Sequence, residues 1–196
     1  MKSVDALIKK TMEFRDKGLS EKEIADELHL SENTVNWLLT HGVKGEPPND
    51  VKIGWRSVGI FGSRISCIAG TLSDIILEEM EKRESDFDVV VGIAINGIPY
   101  SVFISENLGA ELAVFRPATK SDMSGTFSSN YAGVKGKNVV VVDDVISTGE
   151  SIRGAVSALR ENGAKPVLVV VVVNKTTKDE IEGVPVRALI RARTIA

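Results

Sequence analysis

A mostly parallel α/β sheet, preceded by a small all-helical module, is the architecture that three features of this 196-residue chain predict. From residue 51 onward, β-branched apolar runs alternate with segments of helical periodicity, the pattern of strand-helix-strand units. One of those runs, residues 139–142, is four consecutive valines with no polar face, which suits a strand covered on both sides. Before residue 51 apolar positions recur only at helical spacing, and Pro47 and Pro48 then break the chain. The expected divisions are a helical domain over 1–42, a linker over 43–50 and the α/β domain over 51–196.

Composition narrows the setting. The chain is 43% hydrophobic and 26% charged, ordinary values for a globular protein with a sizeable core. Its one cysteine, Cys67, excludes an internal disulfide and fits a reducing compartment. The longest apolar run, 167–173, is far too short to span a bilayer, and charges interrupt every apolar run near the N-terminus. A cytoplasmic protein without membrane partners is expected. Residues 1–50 carry 7 Lys+Arg and 10 Asp+Glu, net −3, while the remainder carries 17 of each. That balance argues against a strongly basic nucleic-acid-binding arm.

The first helix is expected over 3–17, with Val4, Leu7, Ile8, Thr11 and Phe14 on one face and Gly18 ending it. Ser20 and Glu23 have capping-box spacing and open a second helix carrying Ile24, Ala25 and Leu28. After a turn at His29 and Leu30, Ser31 caps a third helix running to about residue 40, with Val35 and Leu38 inward. This spacing resembles the helix-turn-helix of DNA-binding domains, whose last helix enters the major groove. His29 departs from it, since glycine is common at the turn. The resemblance makes Asn33, Thr34, Asn36 and Trp37 the DNA-contacting residues, outward on that helix, with asparagine suited to adenine. The third helix has no arginine, however, and Glu32 would repel phosphate. A three-helix dimerisation or cap module is the competing reading. His29 and His41 lack any further ligand pattern, so no metal site is expected there.

The second part should begin with a strand or hairpin over 53–61, followed by a long helix over 64–83 on which Ile65, Ile68, Ala69, Leu72, Ile75, Ile76 and Met80 are periodic. A buried strand over 87–93 leads through Ala94, Ile95, Asn96 and Gly97 into a helix ending near Leu108. Residues 111–115 form the next strand, running into residues 116–123 and a Gly/Ser/Thr-rich stretch through Gly133. The valine strand follows, and after it a strand over 165–173, a polar connection over 174–182 and a last strand or hairpin over 184–194. Arg187, Arg191 and Arg193 share one face of that last element and read as a solvated strand face.

Chemistry concentrates where the valine strand ends. Asp143 and Asp144 are followed by Val145, Ile146, Ser147, Thr148, Gly149, Glu150 and Ser151, and helical periodicity resumes at Ile152, Ala155, Val156 and Leu159. The hydroxyl and glycine residues thus enter a helix N-terminus, where unpartnered amides and the helix dipole favour a phosphate. The two carboxylates at the strand end can accept hydrogen bonds from a sugar diol or face a hydrated Mg2+. A Walker B strand also ends in acids, but the chain contains no G-x-x-x-x-G-K-[ST].

The run Val-Asp-Asp-Val-Ile-Ser-Thr-Gly-Glu-Ser resembles the phosphoribosyl pyrophosphate motif of type I phosphoribosyltransferases. That resemblance implies their fold, a phosphoribosyl ligand with Mg2+, and a pyrophosphate loop at Ala94, Ile95, Asn96 and Gly97. Residues 88–151 are most similar to the orotate branch, where a lysine stands at Asn96 and a mobile loop reads Arg-Lys-x-x-Lys-x-His. Arg116 and Lys120 match that loop and would be the catalytic cations of an active enzyme. Pro117 replaces its first lysine and Asp122 its histidine. Departure of pyrophosphate needs cationic stabilisation, and loss of one such group costs about 3–4 kcal/mol. Binding can therefore outlast turnover. Helix-turn-helix joined to such a domain resembles archaeal orotate phosphoribosyltransferase-like regulators, some of which control sugar catabolism. A homodimeric regulator that binds a DNA operator and senses a phosphoribosyl ligand is expected, with an active orotate or other base phosphoribosyltransferase as the alternative.

Overall fold

The computed structural model describes residues 2–40, 48, 50–117 and 125–193. Two compact units emerge, one reaching Arg56 and the other spanning Ser57–Ala192.

The first unit holds α1 (Lys2–Asp16), α2 (Glu21–Leu28) and α3 (Glu32–Leu39). The capping box forms: the Ser20 amide donates to Glu23 Oε2 at 2.8 Å, and the Glu23 amide donates back to Ser20 Oγ. His29 adopts the left-handed conformation that ends α2, φ 52°, which explains why glycine suits this position. Ile24, Leu28, Val35 and Leu38 are fully buried together. On α3, Asn33 and Asn36 are exposed and Trp37 is partly buried against the core. Thr34 corrects the expectation of an outward residue. It is 7% exposed, and its hydroxyl donates to Asp50 Oδ2 at 2.8 Å. That contact also draws Asp50, placed in the expected linker, into the helical unit. Residues 43–47 and 49 lie outside the described residues.

In the second unit, the strand or hairpin expected over 53–61 does not form. The segment carries α4 (Arg56–Gly59), and none of these residues is buried, so no apolar face exists for a sheet to cover. The helix α5 (Gly62–Lys82) precedes β1 (Val89–Ile93), α6 (Gly97–Leu108), β2 (Glu111–Arg116), β3 (Thr126–Phe127), β4 (Asn138–Ile146), α7 (Glu150–Glu161), β5 (Lys165–Asn174), β6 (Glu180–Ile181) and β7 (Val184–Arg191). Among the described residues the sheet has order β3-β2-β1-β4-β5-β7-β6. The two-residue strands β3 and β6 pair antiparallel at either edge, and all other pairings are parallel.

Both faces of the central strands are covered, as the unbroken valine runs require. Val89, Val91, Val139, Val141, Val169 and Val171 pack with Ile152, Ala155, Val156 and Leu159 of α7. The alternate residues Val90, Val140, Val142 and Val170 are equally buried, and α6 packs on β1 and β4. Burying one such side chain stabilises by about 1.5–3 kcal/mol. One arginine of β7, Arg187, also corrects the expectation of a purely solvated face, whereas Arg191 is exposed. Arg187 Nε reaches Glu79 of α5 at 2.8 Å, and Arg191 pairs with Asp179.

Strand order fixes where a ligand fits. From β1 the chain passes through α6 to β2 on one side, then returns to β4 on the other, so the connections leaving β1 and β4 diverge. Such a switch point opens a crevice at the carboxyl ends of the strands.

Candidate functional site

The crevice gathers both sequence motifs. Pairing between β1 and β4 stops at Gly92 with Val142, because the chain turns away after Ile93. β4 continues to Ile146 with only β5 beside it, as Asp143 pairs with Val171 and Ile146 with Asn174. Asp143 and Asp144 therefore stand on the part of β4 that has lost its β1 neighbour. They are 8% and 4% exposed. Their oxygens also organise the backbone: Asp143 Oδ1 accepts from the Asp144 amide at 2.9 Å, and Asp144 Oδ1 from the Val145 amide at 2.7 Å.

Beyond Ile146, Ser147 is partly buried and Thr148 exposed. Gly149 adopts φ +83° as the residue before α7, a conformation that a side chain would resist. Gly149, as the N-cap residue, offers α7 no side-chain cap. Thr148 Oγ1 accepts from the Glu150 amide at 3.4 Å, and Arg153 Nη1 donates to the Thr148 carbonyl at 3.3 Å. The arginine was not anticipated as part of this loop; it lies one helical turn into α7 and reaches back to hold the turn. Ser151 is partly buried and Glu150 exposed in the first turn.

The other wall is the turn after β1. Ala94 and Ile95 are joined by a cis peptide, Ile95 and Asn96 are exposed, and Gly97 is buried at the start of α6. Gly97 has a sharper duty than leaving room for a ligand. A Cβ there would lie 2.5 Å from the Val142 carbonyl oxygen and 3.1 Å from Asp143 Cα, so glycine lets α6 start directly against β4. Two helix N-termini, those of α6 and α7, thus flank the acidic strand end. Tyr100, on the first turns of α6 and only 5% exposed, completes this wall. Burial, then the neighbouring Asp144 charge, pushes its phenol up to about 12, so it stays protonated beside the carboxylates. Nothing in the sequence distinguished this tyrosine from an ordinary helix residue.

Arg116 ends β2 and is exposed, whereas Lys120 and Asp122 lie outside the described residues. Asn33, Asn36 and Trp37 share α3 in the helical unit, where Asn36 Nδ2 donates to Glu21 Oε2 at 3.4 Å.

A parallel sheet whose switch point joins an acidic strand end to an anion-favouring helix start defines a phosphoribosyltransferase-type domain, and residues 66–187 match the family model described as phosphoribosyl transferase domain. Among solved structures, the orotate phosphoribosyltransferase of Aeropyrum pernix is similar at TM-score 0.59 and 25% identity, over 76% of this chain and 82% of that one. The Mycobacterium tuberculosis orotate phosphoribosyltransferase in complex with 5-phospho-α-D-ribosyl 1-diphosphate shares the fold at TM-score 0.56 and 21% identity, over 71% and 80% of the two chains.

Whole-chain relatives add the helical unit. A protein of Thermoplasma acidophilum named transcriptional regulator GfcR is 51% identical over 100% of this chain and 98% of its own length. One of Picrophilus torridus with the same name is 48% identical over 97% and 98%. The chain belongs to this family of GfcR transcriptional regulators. Among the described residues no helix is long and apolar enough to cross a membrane.

Proposed function

We propose that the protein is a cytoplasmic, homodimeric DNA-binding regulator whose α3 docks in the major groove and whose β4–α7 corner binds a phosphoribosyl ligand that shifts DNA affinity. The observation that carries this reading is the extent of the likeness to named regulators. It spans the whole chain, helical unit included, whereas the phosphoribosyl transferase model begins only at residue 66. Asn33 and Asn36 are the exposed polar residues of α3 suited to base edges, with Trp37 beside them. Thr34 acts from beneath, holding the helix rather than touching DNA. Dimerisation would set two such helices about 34 Å apart on one side of the duplex.

In the ligand unit, Asp143 and Asp144 accept hydrogen bonds from the ribose hydroxyls. The backbone amides over 147–151 take the 5-phosphate, and the turn over 94–97 takes the pyrophosphate end. The two adjacent carboxylates fit a Mg2+ held mainly by ligand phosphates and water, and no group of three potential ligands occurs among the described residues. When bound, Mg2+ supplies charge neutralisation to the pyrophosphate.

An operator-shift titration with and without phosphoribosyl pyrophosphate and Mg2+ tests the reading. A change in DNA affinity of about 5- to 150-fold is expected, the usual range of allosteric coupling. Unchanged affinity at saturating ligand removes the sensor role. Pyrophosphate release at about 1 s−1 or faster with any base would make the protein a transferase instead. By calorimetry, Asp144→Asn is expected to bind this ligand about 10- to 100-fold more weakly, the loss of one hydrogen bond to a charged group. Asparagine keeps an oxygen for the Val145 amide, so the melting temperature should change little.

A further inference from the structure

We infer that the segment from Asp50 to Trp55 is a positioning strap for the recognition helix, holding the turn between α2 and α3 through Asp50, Lys52 and Trp55. The inference rests on the DNA-binding reading of α3 and deepens it. Three side chains from a stretch of six residues, all inside the first unit, converge on 28–34, the end of α2, the turn and the beginning of α3.

Each contact matches what the turn exposes. The Asp50 carboxylate sits at the N-terminus of α3, where Oδ2 accepts from the Ser31 amide and the Thr34 hydroxyl, both at 2.8 Å. Ser31 Oγ already accepts from the Thr34 amide at 3.2 Å, so Asp50 adds a second, charged cap to a helix that has a first. Lys52 lies at the opposite pole of the turn, and its Nζ donates to the Leu28 carbonyl at the C-terminus of α2, 3.4 Å away. An anion at a helix start and a cation at a helix end are the favourable signs for both dipoles. Between them the Trp55 ring meets His29 edge-on, centroids 6.3 Å apart and planes at 89°. His29 is the residue in the left-handed conformation on which the angle between α2 and α3 depends.

Asp50 Oδ1 accepts from the Val51 amide at 2.7 Å, which directs the chain away from the cap toward Lys52. The chain enters the second unit at Ser57, immediately after this strap. A displacement of the chain at Trp55 would therefore be felt at the start of α3 through side-chain anchors, without passing along residues 41–49.

Two full-length variants separate the anchors from the covalent connection. One inserts Gly-Ser-Gly between Pro48 and Asn49, lengthening the chain from α3 to Asp50 while leaving the anchors. The other, Asp50→Ala with Lys52→Met, removes two anchors at unchanged chain length. Affinity for an operator duplex should stay within about twofold for the insertion and fall at least about tenfold for the anchor variant, with Asp50→Asn intermediate because it keeps one accepting oxygen. Amide exchange over Ser31–Leu39 should quicken on the order of fivefold in the anchor variant and stay unchanged in β4. Should Asp50→Ala unfold the helical unit, Lys52→Met and Trp55→Leu, each removing one anchor, give the same comparison. A weakened insertion variant beside an unaffected anchor variant overturns the strap. Wild type that binds no duplex overturns the DNA-binding reading itself and the strap's role with it.

Discussion

Gly97→Val is expected to lower the melting temperature by about 5–10 °C and to abolish binding of phosphoribosyl pyrophosphate. The added Cβ would stand 2.5 Å from the Val142 carbonyl oxygen and 3.1 Å from Asp143 Cα. Neither neighbour can yield cheaply, because Val142 is fully buried and paired to β1, while Asp143 is paired to β5. What moves is the start of α6, taking with it the turn over 94–97 and Tyr100. Overpacking of this kind costs about 1–3 kcal/mol and sometimes more. At about 2–4 °C per kcal/mol for a chain of this length, the expected shift follows. The binding loss is the larger effect, since the substitution moves the start of α6 and the turn over 94–97 away from Asp143 and so parts the two walls of the crevice. Gly154→Ala is the control. Its Cβ would meet nothing within 4 Å in the interior of α7, so it should gain about 0.5–1 kcal/mol. Scanning calorimetry and ligand titration on both variants check the pair. A Gly97→Val protein that melts and binds like wild type would mean that α6 does not start against β4.

What the sequence made legible were the features that neighbours in the chain determine. Four valines ending in two aspartates could be read as a buried strand delivering acid to a sheet edge, and β4 has that form. The Ser20 and Glu23 spacing announced the start of α2, and the periodicity of Leu72, Ile76 and Met80 announced α5, because a cap or a helical face needs only local information. Residues whose roles come from distant partners were misread or missed. Thr34 is polar and follows an N-cap, so it reads as exposed until Asp50, 16 residues on, is seen to accept its hydroxyl proton. Gly97 read as a loop glycine leaving room for pyrophosphate; its steric constraint comes from a carbonyl on another strand. Residues 53–61 have strand-like composition, yet among the described residues no strand pairs with them. The strands β3 and β6, two residues each, are too short to show any alternation and exist because β2 and β7 present edges.

Removal of Arg187 should cost stability for a reason that also predicts how the loss depends on pH. Glu79 is 4% exposed on α5. Burial by itself would raise its carboxyl. The hydrogen bond and charge of Arg187, with a further contribution from Arg83, outweigh burial and hold it below the ordinary 4.5. A carboxyl depressed on folding contributes stability that is present above its unfolded value and lost as pH falls through its folded value. The contribution of Glu79 in wild type should therefore be lost only in acid, below about pH 4.5. In Arg187→Met the buried carboxylate keeps Arg83 at 3.2 Å and Lys82 at 3.9 Å, both substantially exposed and weakly held. Truncating one partner of a buried pair costs about 3–5 kcal/mol, and these remaining cations should reduce that to about 2–3. With its main cation gone, burial raises the Glu79 carboxyl, so the unfolded state now binds fewer protons than the folded one. The sign reverses. Urea unfolding should find the deficit of Arg187→Met smaller at pH 5 than at pH 7.5, while Glu79→Leu combined with Arg187→Met should regain most of the wild-type midpoint, because an apolar pair of similar volume leaves no buried charge. A deficit that is independent of pH, or a double variant no better than Arg187→Met alone, would mean that Arg187 acts through packing of its stem against α5 and not through its charge.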